Sequence, residues 1–131
     1  MQEAVVAVVT MATKILFIRR GPGVPHTGYW APPSGNIEPG EDQATAVVRE
    51  VREEVGLTVK PLRMVWECVS ASGTHLLSWW LADWVSGELR LDPREVSEAR
   101  WLTPHEIAAL EPTFEKDREF FEKVLPRLQE P

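Results

Sequence analysis

Cys68 is the only cysteine in this 131-residue chain, so no intrachain disulfide can form and a reducing, cytoplasmic setting is expected. A basic block or stripe is missing too, and the net charge at pH 7 is −6. Binding along a nucleic-acid polymer by phosphate neutralisation is therefore not expected, nor is docking to an anionic membrane. Long hydrophobic runs are absent. The apolar stretch from Ala4 to Val9 is too short for a signal sequence or a membrane span, and Met1-Gln2-Glu3 carries no positive charge ahead of it. No internal repeat, low-complexity segment or linker divides the chain. With 44% hydrophobic residues it can bury a sizeable core, and residues 1–131 read as one domain.

What is present in abundance is acid in an unfavourable place. Ala44, Val47, Val48, Val51 and Val55 recur with helical periodicity, and Gly56 follows where a helix commonly stops in the left-handed conformation. Glu50, Glu53 and Glu54 then fall in the last turn and a half, beside the negative end of the macrodipole. Each is disfavoured there by about 0.3–1 kcal/mol. Spaced three and four residues apart, they also repel one another on a shared face. A cluster that opposes helix stability is the kind of exception that marks a functional site. A divalent cation with oxygen ligands, Mg²⁺ or Mn²⁺, turns it favourable, and such ions commonly bridge protein carboxylates to phosphates. The alternative is a solvated acidic face, in which Arg49 pairs with Glu53. The preceding loop, Trp30-Ala31-Pro32-Pro33-Ser34-Gly35 running to Glu38-Pro39-Gly40-Glu41, is stiff and can bring backbone carbonyls near the helix end.

Gly35, Glu41, Arg49-Glu50-Val51, Glu53-Glu54 and Gly56-Leu57 match every fixed position of the Nudix box, so the chain resembles the MutT/Nudix hydrolase superfamily. The flanks resemble it less specifically, through Trp30 to Gly35 and through Glu98-Ala99-Arg100-Trp101-Leu102 followed by Thr103-Pro104-His105-Glu106. The resemblance implies an α/β/α sandwich around a mixed sheet. It implies Mg²⁺- or Mn²⁺-dependent hydrolysis of a pyrophosphate bond in a nucleoside diphosphate linked to another moiety, by metal-activated water attacking phosphorus. Glu50 and Glu54 would be the principal metal ligands, Glu53 a further ligand or partner, and the Gly35 carbonyl would complete the shell. Arg49 would orient the glutamates. Glu41 would either bind metal through water or favour the positive end of the helix. The general base would come from the box or from a later carboxylate among Asp83, Glu88, Asp92, Glu95 and Glu98, and Glu98 is the choice. Pro32 and Ser34 depart from the commoner lead-in, so the pocket's shape does not carry over. Two further readings are a house-cleaning nucleoside triphosphate pyrophosphohydrolase and a catalytically silent binding or regulatory protein of the same fold.

The remaining elements follow from pattern. Ala4 to Thr10 reads as a central strand buried on both faces, and Ile15 to Ile18 as a second strand. Residues from Arg19 to Tyr29 read as a loop, and Thr58 to Val69 and Leu76 to Val85 as two strands joined by a polar turn. A short strand is expected at Leu89 to Leu91, and another at Arg100 to Leu102. Thr103, Pro104 and Glu106 signal a helix start, and Phe114 to Leu125 a final amphipathic helix. Arg19 and Arg20, closing the second strand, are candidate phosphate contacts, Trp30 is a candidate for stacking on a base, and Glu98 a candidate substrate-facing residue. Trp80 and Trp84 should share one strand face and Trp79 the other. Exposed tryptophans would be compatible with a homodimer.

Overall fold

The computed structural model describes residues 1–129; the last two residues of the expected 1–131 domain lie outside it. Strand β1 (Gln2–Met11) forms the middle of a seven-stranded mixed sheet. Its valines sustain an extended backbone, and alternation sends Val5, Ala7 and Val9 to one face and Val6 and Val8 to the other. It runs antiparallel to β2 (Lys14–Arg20) only at Thr10 and Met11. Beyond that point β1 pairs antiparallel with β4 (Ser34–Asn36), while β2 pairs with β3 (Trp30–Ala31). The proline-rich lead-in is therefore partly strand, and the sheet splits between β1 and β2. On the other side β1 runs parallel to β6 (His75–Ser86), which pairs with the edge strand β5 (Thr58–Val69).

Helix α1 (Gln43–Val55) starts at Asp42, whose side chain accepts the Thr45 N–H, and stops at Gly56 with φ 77°. It buries Ala46, Val47, Val51 and Val55 against one face of the sheet, with Ala44 and Val48 at the margin. The opposite face is covered by α2 (Pro104–Ala108) and by a continuous helical path. That path comprises α3 (Glu115–Glu119), a π-helical turn (Phe120–Val124) and α4 (Leu125–Leu128). Phe120 stacks on Trp79 there, ring centroids 4.4 Å apart. Two cores on two faces of one sheet make the expected α/β/α sandwich.

Three local expectations change. Residues 89–91 form no strand, because the Arg90 N–H donates to the Val55 carbonyl and so serves the end of α1 instead of a ladder. Strand β7 (Val96–Leu102) begins earlier than expected and pairs with β2, so Glu98 lies inside it and not before it. Of the tryptophans only Trp84, 37% exposed, is among the exposed large hydrophobic residues, while Trp30 and Trp79 are core. Among the described residues no helix is long and apolar enough to cross a membrane.

Candidate active site

The acidic end of α1 is held together by Arg49. Its Nε donates to Glu41 Oε2 at 2.7 Å and its Nη1 to Glu50 Oε1 at 2.8 Å and Glu53 Oε2 at 3.2 Å. Nη2 reaches the Asn36 carbonyl at 3.0 Å and Glu41 Oε1 at 2.8 Å. Three of these hydrogen bonds therefore fix the helix to the lead-in loop, and Glu41 in turn accepts the Glu38 N–H. The guanidinium and that N–H hold the Glu41 carboxyl down at about 2. Glu41 thus belongs to the scaffold around Arg49. Glu53, its side chain 59% exposed, points to Arg49 and solvent.

Glu50 and Glu54 turn the other way. The Glu50 carboxyl packs onto Gly35, where a Cβ would collide with all three carboxyl atoms. Only glycine leaves room for it. Burial raises the Glu50 pKa against the pull of Arg49. Glu54 faces an open cavity of about 390 Å³ in the split between β1 and β2. Its Oε2 is buried with no hydrogen-bond partner among the described residues. Burial first and the neighbouring Glu50 second push its pKa up to about 8, opposed by the Ser34 N–H and Arg20.

The same cavity gathers residues far apart in sequence. Arg20, Glu95, Phe114, Lys116, Asp117 and His75 line it. Asp117 is 7% exposed, and its burial raises its pKa to about 7 against the attraction of Arg20. Arg20 anchors its Nε on the Pro25 carbonyl at 2.6 Å and lies over the Phe114 ring. Phe114 also meets His26 and Tyr29, which joins the β2–β3 loop to α3.

Three sequence candidates fall elsewhere. Strand alternation puts Arg20 on the cavity wall with Ile18 and sends Arg19 to the other face, near Gly28. Trp30 is 7% exposed and packs in the core, with the Arg100 guanidinium 5.3 Å from its ring. Glu98 pairs with Arg100 on β7, whereas Glu95, at the turn before that strand, is the later carboxylate that reaches the cavity. Asp117 had no sequence signal, since a single acid in an amphipathic helix with Lys116 and Arg118 beside it looks like a solvated residue.

A mixed sheet between helices, split to admit a buried carboxylate from a glycine-capped helix, defines a hydrolase fold of the Nudix type. The family model for the NUDIX domain matches residues 1–124, and the chain belongs to the Nudix hydrolase family. An NAD-capped RNA hydrolase NudC from Pseudomonas putida is 31% identical over 107 residues, covering 82% of this chain but 38% of that protein. The chain thus spans well under half the length of that relative. Among solved structures, the E. coli ORF135 protein is 27% identical with a TM-score of 0.76, covering 97% of this chain and 89% of that one. A MutT protein from Methanosarcina mazei superimposes with a TM-score of 0.83 at 23% identity, covering 98% of this chain and 96% of that one, and shows the shared fold.

Hydrolases of this family use a divalent metal. Among the described residues no group of three or more His, Cys, Asp or Glu side chains forms a closed metal cage. The residues fit such an ion as a partial set of hard oxygen donors. Glu54 offers an unpartnered buried oxygen, and Glu50 adds a second carboxylate whose repulsion with Glu54 a cation relieves.

Proposed function

We propose that this domain, residues 1–131, hydrolyses the pyrophosphate bond of a nucleoside diphosphate linked to another moiety. The observation that carries the reading is the meeting, in one cavity, of Glu54 with its unpartnered oxygen and the cations Arg20 and Lys116. Glu50, Glu54 and the Gly35 carbonyl would hold Mg²⁺ or Mn²⁺, with Glu53 keeping Arg49 in place. Such an ion supplies charge neutralisation at phosphate oxygens and acidifies water in the cleft.

The chain does the rest. Arg49 locks Glu50 against Gly35, so the donor geometry exists before substrate arrives. Arg20 and Lys116 attract the diphosphate and counter the developing negative charge. Glu95, which lines the cavity, would accept the proton of the attacking water as the new P–O bond forms and the bridging P–O bond breaks. The products are a nucleoside monophosphate and the phosphorylated second moiety. Phe114 and Asp117 offer an aromatic ring and a buried carboxyl to the nucleoside.

The net charge of −6 and the lack of a basic stripe favour a small nucleotide over a nucleic-acid polymer, and the lone cysteine favours a cytoplasmic setting. Every residue invoked comes from one chain, so the reading does not require a homodimer. Nucleoside triphosphates, ADP-ribose, NADH, nucleotide sugars, dinucleoside polyphosphates and coenzyme A, assayed with Mg²⁺ and with Mn²⁺, test it. Release of a nucleoside monophosphate from a linked diphosphate is expected. Release of pyrophosphate from triphosphates alone would select the house-cleaning reading, and no turnover of any compound would leave a binding protein.

A further inference from the structure

A closed chain of hydroxyl groups ends on a histidine that the reaction does not use. The hairpin between β5 and β6 borders the same cavity through Ser70, Ala71 and His75. The His75 N–H donates to Ser70 Oγ at 3.1 Å. Ser70 Oγ lies 3.1 Å from Ser72 Oγ, which lies 2.7 Å from Thr74 Oγ1. Thr74 Oγ1 in turn lies 2.8 Å from His75 Nδ1.

Each hydroxyl has one proton to give. Ser70 accepts the backbone N–H, so one direction fills every link: Ser70 donates to Ser72, Ser72 to Thr74, and Thr74 to Nδ1. Hydroxyls arranged head to tail polarise one another and strengthen the chain. The reverse direction makes Ser70 accept twice and leaves its own proton outside the ring. The first direction makes Nδ1 an acceptor and leaves the ring proton on Nε2. Serine-rich turns are ordinary at a surface. This one differs because the ring it contacts lines the cavity.

The sheet register places that ring relative to the box. Val5 pairs with Gly35 on one side, and Gln2 pairs with His75 on the other. His75 is thus two strands across and three residues along from Gly35, roughly 10 Å in each direction. That sets His75 apart from the Gly35 end of the cavity, where the proposed reading holds the diphosphate, and leaves it toward the attached nucleoside. His75, Leu77 and Trp79 alternate onto one face of β6. Trp79 is buried core and Leu77 lines the cavity, which leaves His75 at its rim.

We infer that His75 is a specificity-determining residue that donates its Nε2–H to an acceptor atom of the substrate's nucleobase, with Ser70, Ser72 and Thr74 as positioning residues that fix its tautomer. This rests on the pyrophosphohydrolase reading above, and the test separates the two. Long-range ¹H–¹⁵N NMR of the metal-free protein reads the tautomer, and titration with AMP, GMP, CMP and UMP reads contact at Nε2. An Nε2–H ring whose Nε2 signal moves with at least one monophosphate is expected. An Nδ1–H ring, or one that none of the four perturbs, overturns the assignment even if the enzyme is active.

Should the substrate panel show no turnover, the reaction falls while the titration still judges His75. On the best panel substrate, His75→Ala should raise KM about tenfold, as for loss of one hydrogen bond, with kcat little changed. His75→Gln keeps an N–H at similar reach and should recover much of that loss. Thr74→Val should raise KM about threefold and mix the two tautomers. An unchanged KM in both His75 variants would overturn the proposal.

Discussion

Glu54 at the end of α1 and Asp117 in α3 are two buried carboxylates lining one cavity from opposite layers of the sandwich. Their surroundings differ in kind. Glu54 has acidic company, since Glu50 and Glu95 both raise its pKa beyond what burial does. Asp117 is raised by burial alone, with Arg20 pulling the other way. The α1 end has a rigid frame of its own in Arg49, Gly35 and Gly56. Asp117 instead precedes a π-helical turn whose Phe120 is fixed by stacking on Trp79. Crowded acids suit a multivalent cation, whereas a lone acid that changes charge near pH 7 suits a neutral hydrogen-bonding ligand. The two walls thereby divide the work, one toward phosphate and metal and the other toward the nucleoside.

Replacing Glu54 by Gln breaks the comparison most sharply. Losing a charged donor worth several kcal/mol should cut kcat about 10³-fold or more, with the fold retained by circular dichroism. Asp117→Asn should leave kcat nearly intact and act on KM and stability. The folded pKa of Asp117, about 7, lies above its ordinary 3.8, so ionisation opposes folding and the wild type loses stability as pH rises from about 4 to 7. The Asn variant escapes that loss. It should exceed the wild type by about 2–4 kcal/mol at pH 8 relative to pH 4 in urea unfolding. Equal pH profiles would erase the contrast between the walls.

Gly35→Ala tests the frame of the first wall. The added methyl meets the Glu50 carboxyl, so a stability loss of about 1–3 kcal/mol and weaker metal activation are expected. The smallest effect serves as a control. Trp80 Nε1 donates to Gln43 Oε1 at 2.8 Å, away from the cavity. Trp80→Phe should lose about 1 kcal/mol of stability and leave KM unchanged.

The same contrast explains what could be read before the fold was known. The α1 wall is local: Glu50, Glu53 and Glu54 share one helix end, and Arg49, Gly35 and Gly56 lie within a short stretch. Periodicity, the helix stop and charge repulsion were enough to find it, and the central strand, both ends of α1 and the Thr103 capping box were legible for the same reason. The rest of the cavity is assembled from β2, the β5–β6 hairpin, the turn before β7 and α3. No local rule separates Asp117 from a surface acid, Arg20 from Arg19, or Glu95 from Glu98.

By itself, then, the sequence determined the family, the helix that carries the acids and the pairing logic of Arg49, because those follow from neighbours along the chain. Only the tertiary structure decided which carboxylates share a cavity. It sent Glu54 inward and Glu53 to solvent, buried Trp30, and brought Arg20, His75, Glu95 and Asp117 together. The physical reason is that strand register and layer packing fix those distances, and one residue of register moves a side chain to the other face.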